Sequence, residues 1–119
     1  MEDQSQKLKV GVVGLGKMGL LHAALLSVNS SVELAALCDK SSIMRKFAKK
    51  VLRKPLIVDQ LDKMANLNLD VVYVTTPIPT HYAIIKDIYG PIARNVFVEK
   101  TLSLSYTLSQ ELCTLAENP

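Results

Sequence analysis

Glycines at 14, 16 and 19, an aspartate at 39, the run Thr75-Thr76-Pro77 with His81, and the pair Glu99-Lys100 are the residues whose types and spacing suit chemistry. The glycines follow a short apolar run, Val10 to Val13, and precede Leu20 to Leu26, a helix-forming stretch without an internal breaker. Strand, G-x-G-x-x-G turn and helix is the context that receives a pyrophosphate. Gly14 allows the tight turn, Gly16 lets backbone approach the anion without a Cβ, and Gly19 lets the helix pack on the strand. Lys17 and Met18 lie between the last two. The N–H groups of the helix start and the positive end of its dipole then face the anion.

Glycine turns before helices are common, so the motif needs a second half, and Asp39 supplies it. Asp39 closes the next apolar run, Val32 to Cys38, twenty positions past Gly19, where a carboxylate reaches the adenosine ribose. Charge-assisted bonds to ribose hydroxyls are worth roughly 1.5–3 kcal/mol each. The same charge repels a 2′-phosphate by a few kcal/mol at about 4 Å and an effective dielectric of about 20. NAD is therefore favoured over NADP, although Lys40 softens the repulsion and keeps NADP open. An Asx turn or a helix cap is the other use for Asp39.

These residues need elements to position them. Leu56 to Val58, Leu69 to Val74 and Asn95 to Glu99 read as further strands. Helices are predicted over about Gln60–Asn66 with Asp59 as cap, Tyr82–Tyr89 with Thr80 as cap, and from a Ser105 cap to about Glu117. After Asp39, Ile43, Met44, Phe47, Ala48, Val51 and Leu52 recur at helical spacing, opposite Arg45, Lys46, Lys49, Lys50, Arg53 and Lys54. This reads as a surface helix, apolar face inward, whose cations keep it soluble. A nucleic-acid or 2′-phosphate face is the competing reading, but no aromatics interleave the charges. Arg45 lies nearest the adenosine end.

The order βαβαβαβαβα predicts an α/β, Rossmann-type doubly wound parallel sheet of about five strands with helices on both faces. Ligands bind such sheets beyond the carboxyl ends of the strands, where the order reverses. Gly14–Gly19, Asp39, Thr75–His81 and Glu99-Lys100 all fall on that edge.

The chain's 119 residues suffice for one domain, 7–119, after a polar tail, 1–6. The net charge of +3 is too mild to point to nucleic acid. No apolar run is long enough for a membrane span, and the tail lacks the pattern of a secretion signal. Cys38 and Cys113 have no metal-ligand spacing, and no metal is expected; Cys38 reads as a buried apolar residue. The expected compartment is the cytoplasm.

With these loops in place, the chain resembles the glucose–fructose oxidoreductase/inositol dehydrogenase (Gfo/Idh/MocA) family. The resemblance rests on Val10 to Gly19, Asp39, Asp70-Val-Val-Tyr-Val-Thr-Thr-Pro77 with His81, and Val96-Phe-Val-Glu-Lys100, and it covers Lys7 to about Glu117. It implies an NAD(P)-dependent dehydrogenase acting on CH–OH groups of a sugar, inositol or related polyol. By position it implies Gly14, Gly16, Lys17, Met18 and Gly19 at the pyrophosphate, Asp39 at the adenosine ribose, and Thr75, Thr76 and Pro77 near the nicotinamide half. His81 joins that cofactor set or serves as a first-turn packing residue. Glu99 is implied at the nicotinamide ribose, and Lys100 as the catalytic residue that orients the substrate hydroxyl and stabilises a developing alkoxide. His22 reads as packing, and Glu99-Lys100 without the resemblance would read as a charged strand end.

Two departures qualify the match. Thr101 follows the lysine where the family usually has proline, and a cis Lys–Thr bond costs roughly 3 kcal/mol, so a trans bond is expected. The family's C-terminal substrate domain is absent, and the chain stops where a sixth strand would begin. The chain is thus expected to be the amino-terminal part of a longer enzyme, truncated, binding cofactor without turnover. Its strand 95–99 would be an open edge able to self-associate. The alternative functions are a stand-alone dinucleotide-binding or redox-sensing module, and a domain binding S-adenosylmethionine, which has no need of the Thr75–Pro77 and Glu99-Lys100 loops.

Overall fold

The computed structural model describes residues 7–117; the polar tail 1–6 and the terminus at Pro119 lie outside the described residues. Five strands, β1 (Leu8–Val13), β2 (Val32–Cys38), β3 (Leu56–Val58), β4 (Val71–Val74) and β5 (Asn95–Val98), alternate with helices. All pairings are parallel, in the order β3-β2-β1-β4-β5. The chain adds strands outward from β1 to β3, then returns to the other side of β1 with β4. The order therefore reverses between β1 and β4, which is where the sequence reading puts the site.

Helices α1 (Lys17–Ser27) and α2 (Ser42–Val51) cover one face. Their Ala23, Leu26 and Ala48 pack with Val10, Val12, Leu34 and Leu37. Helices α3 (His81–Ile88) and α4 (Tyr106–Glu117), with a 3₁₀ helix at Leu61–Leu67, cover the other. There Met64, Ile85, Ile88 and Leu112 pack with Val13, Val72 and Val74. Alternate strand residues thus feed two separate apolar layers, as a sheet buried on both faces requires. Strand β5 is an edge among the described residues, and its Phe97 is 46% exposed.

Several local expectations need correction. The segment after β3 is a 3₁₀ helix whose start has no side-chain cap, because Asp59 instead accepts from Lys63 Nζ at 2.7 Å. Thr80 does not cap α3 with its side chain; its hydroxyl turns back to the Pro77 carbonyl at 2.6 Å. Ser105 behaves as expected, its Oγ accepting from Leu108 N at 3.1 Å. The apolar face of α2 is only partly buried. Ala48 is buried and Met44 and Leu52 pack against the core, whereas Ile43, Phe47 and Val51 are 75%, 52% and 57% exposed. Six apolar positions span a wider arc than a helix beside an edge strand can cover. Finally, the Lys100–Thr101 peptide bond is cis rather than trans, and the Thr101 and Leu102 carbonyls beyond it are engaged by the buried His81 ring.

Candidate cofactor site

The first βα turn is built by close contact. Gly14 has φ +97°, in the left-handed region glycine favours, and a Cβ there would lie 2.9 Å from Thr75 and Thr76 atoms. A Cβ on Gly19 would lie 1.7 Å from the Gly14 oxygen, so α1 starts against the turn only because residue 19 has no side chain. A Cβ on Gly16 would meet no atom within 4 Å beyond its chain neighbours and its own helix backbone. Gly16 is also the N-cap residue of α1, with no side-chain cap and no acid in the first turn. A helix start leaves its first N–H groups unsatisfied. Here they open onto free space beside a residue without a Cβ, the cradle an anion fits. Lys17 is exposed at this end and Met18 is 42% exposed.

Asp39 is tied to this turn. Its Oδ2 accepts from Leu15 N at 2.7 Å and its Oδ1 from Ser41 N at 2.8 Å. The second bond is the Asx turn that the sequence also allowed; the first reaches back 24 residues and fixes the glycine loop. Each carboxylate oxygen keeps a further lone pair for a hydroxyl donor. Arg45 donates from Nη1 to the carbonyls of Asp39 (2.9 Å) and Lys40 (2.8 Å), bracing the same bend. The adjoining Cys38 thiol is pushed up to about 11, first by burial and then by the neighbouring Asp39 charge.

Across the switch point, the Thr75 hydroxyl lies 3.0 Å from the Val13 carbonyl and 2.8 Å from that of Gly14, locking the loop after β4 to the glycine turn. Thr76 and Thr80 hydroxyls pair at 2.7 Å, and Pro77 takes the Thr80 O–H. His81 is fully buried. Its Nε2 lies 2.8 Å from the Thr76 carbonyl, and its Nδ1 lies 2.9 Å from that of Thr101 and 3.2 Å from that of Leu102. It joins the Thr75–Thr80 loop to the segment after Lys100 and presents no surface of its own to a ligand.

Glu99 and Lys100 follow β5, with Glu99 N donating to Val74 O at 3.0 Å. Lys100 is exposed and has no hydrogen bond or ion pair among the described residues. Glu99 Oε2 lies 2.9 Å from His22 Nε2. The sequence reading assigned His22 to packing and missed this pair. The only available signal was its place three residues after Gly19, one turn into the helix that opens on the site. The structure thus brings Gly14–Gly19, Asp39, Thr75–Pro77 and Glu99-Lys100 to one edge of the sheet, with His81 behind them. Among the described residues no cluster of metal-ligating side chains forms. No described helix is long and apolar enough to cross a membrane.

Residues 8–119 match the family described as "Oxidoreductase family, NAD-binding Rossmann fold", Gfo/Idh/MocA. No curated protein sequence matches the chain. Among solved structures, GenD2 from gentamicin A biosynthesis, in complex with NAD, is 30% identical with a TM-score of 0.86, covering 98% of this chain and 33% of that one. The myo-inositol 2-dehydrogenase of Lactobacillus plantarum is 26% identical with a TM-score of 0.82, over 93% of this chain and 33% of that one. The scyllo-inositol dehydrogenase of Lactobacillus casei, with NAD(H) and scyllo-inositol, is 25% identical with a TM-score of 0.81, over 94% and 34%. The chain spans about a third of the length of these structures. A dinucleotide turn at the β1/β4 switch point and a match along nearly the whole chain agree: it belongs to the Gfo/Idh/MocA oxidoreductases, as their NAD-binding Rossmann domain.

Proposed function

We propose that the chain is the cofactor half of an NAD(P)-dependent dehydrogenase acting on a CH–OH carbon of a sugar, inositol or related polyol. The observation that carries this reading is the uncapped start of α1 at Gly16, open to solvent and held against β4 by Gly14, Gly19 and Thr75. Nicotinamide, when bound, supplies the hydride acceptor or donor. Gly16 and Gly19, with Lys17 and Met18, bind the pyrophosphate through backbone N–H groups and the Lys17 charge, while Gly14, whose own N–H is held by the Cys38 carbonyl, lines it by shaping the turn. Asp39 accepts the adenosine ribose hydroxyls with its remaining lone pairs, which favours NAD over NADP. Thr75, Thr76 and Pro77 flank the nicotinamide half, and His81 acts behind them by fixing their loop. Glu99 accepts from the nicotinamide ribose. Lys100 holds the substrate hydroxyl and takes part in moving its proton; its exposed ammonium, without a partner among the described residues, supports that role.

On this reading the chain alone binds cofactor and does not turn over substrate. The compartment is the cytoplasm, a choice supported by two free thiols. Self-association through β5 is supported by its edge position and exposed Phe97. The test is titration with NADH and NADPH, read by the cofactors' own fluorescence because the chain has no tryptophan. Wild type binds NADH more tightly. Asp39→Ala narrows the preference by about tenfold, the value of one charge-assisted bond, and Arg45→Ala weakens both cofactors alike. An unchanged preference in Asp39→Ala overturns the assignment of Asp39.

A further inference from the structure

We propose that His22 is a positioning residue for the cofactor: its imidazole holds the Glu99 carboxylate in the orientation that meets the dinucleotide. The inference rests on the functional reading above and assigns a role to a residue that reading leaves out. His22 and Glu99 are 77 positions apart, yet Nε2 and Oε2 lie 2.9 Å apart, with side chains 21% and 33% exposed. A carboxylate only accepts, so His22 Nε2 carries the proton and donates it. The ring is itself fixed. It sits 5.4 Å from the Tyr73 ring and 5.8 Å, edge-on, from that of Phe97, and those two rings lie 4.6 Å apart on paired residues of β4 and β5. Such tilted and edge contacts hold an aromatic side chain in one orientation.

Glu99 shows the complementary pattern. Its backbone is tied to β4, but among the described residues its carboxylate has His22 as its one hydrogen-bond partner, which leaves Oε1 available. The carboxylate is therefore aimed from α1, the helix whose first turn opens on the cofactor. One bond spans the switch point, from the glycine-turn helix to the loop that bears Lys100. Without it, a third-exposed glutamate samples several rotamers, and binding has to order it.

The experiment combines NADH titration with NMR of the ring nitrogens. Only two histidines are present, so their long-range nitrogen–proton spectra are readily assigned. His22→Phe keeps an aromatic ring on Tyr73 and Phe97 but removes the donor; His22→Gln keeps an N–H near the Nε2 position. We expect His22→Phe and Glu99→Ala each to weaken NADH about tenfold, the double variant to be no weaker than either, and His22→Gln to stay within about twofold of wild type. In the wild-type spectrum Nε2 of His22 carries the proton, and Glu99→Ala alters that signal. Equal NADH affinity in wild type and His22→Phe, additive losses, or no loss in Glu99→Ala would each overturn the proposal while leaving the dinucleotide reading intact. Wild type that binds neither NADH nor NADPH would sink both.

Discussion

The first two βα turns have the same topology and nearly opposite chemistry. At the start of α1 no side chain caps the helix, no acid stands in the first turn, and the space beside Gly16 is open. At the start of α2, Ser41 accepts from Met44 N at 3.3 Å, Asp39 takes Ser41 N, and Arg45 ties down the carbonyls of residues 39 and 40. A helix start satisfied by its own neighbours stabilises the fold; one left unsatisfied is available to an anion. The second turn therefore serves the first. Asp39 reaches across to Leu15 N, and Cys38 O accepts from Gly14 N at 2.8 Å.

The sharpest break of this contrast comes from two glycine substitutions three residues apart. In Gly19→Ala the new Cβ falls 1.7 Å from a backbone oxygen, so α1 must move off β1. The expected cost is about 3 kcal/mol, at the upper end for overpacking, and NADH binding is lost with it. Gly16→Ala meets no atom, so its unfolding midpoint stays near wild type while NADH affinity falls at least about tenfold, since the Cβ occupies the anion's place. Denaturant unfolding and cofactor titration on both variants give the comparison. If Gly16→Ala binds like wild type, the open turn is not the site.

A second difference lies at the strand ends. Val13 closes β1, while its parallel partner Cys38 closes β2 and titrates. Burial and Asp39 raise its thiol from 9.0 to about 11. The folded chain keeps this proton where the unfolded chain has lost it, so the stabilisation is complete below about pH 9 and lost as pH rises towards 11. The loss approaches about 3 kcal/mol at 1.36 kcal/mol per unit. Unfolding measured from pH 8 to 11 shows this slope in wild type, and Cys38→Ala removes it. Thiol reagents at pH 8 modify the exposed Cys113 and spare Cys38.

How legible these two turns were in sequence depends on the range of the forces that build them. The glycine spacing, the strand ends and the Ser105 cap are decided within a few residues, and β2 and β3 fall on the residues the apolar runs mark. Asp39 was found from its distance to Gly19, but spacing does not say that Oδ2 binds Leu15 N. The His22–Glu99 bond, the burial of His81 between Thr76 and Thr101, and the cis Lys100–Thr101 bond all join segments brought together only by sheet order. Helix periodicity likewise shows which side of α2 is apolar; how much of that side an edge strand covers depends on the final packing, and Ile43, Phe47 and Val51 stay outside.

The smallest effect probes whether the second turn is purely structural. Ser41→Ala removes the side-chain oxygen that accepts Met44 N but leaves the Ser41 backbone N–H on Asp39 in place. Losing an N-cap hydroxyl costs about 1 kcal/mol, which lowers the melting temperature by about 4 °C in a domain of this size. NADH and NADPH affinities stay at wild-type values, because the cap faces its own helix and Asp39 keeps its grip on the first turn. The discriminating outcome is a selective fall in NADPH affinity. That would mean the Ser41 hydroxyl or the α2 start helps hold a 2′-phosphate, with Lys40 and Arg45 beside it, and the second turn would then be an anion site in its own right rather than a brace for the first.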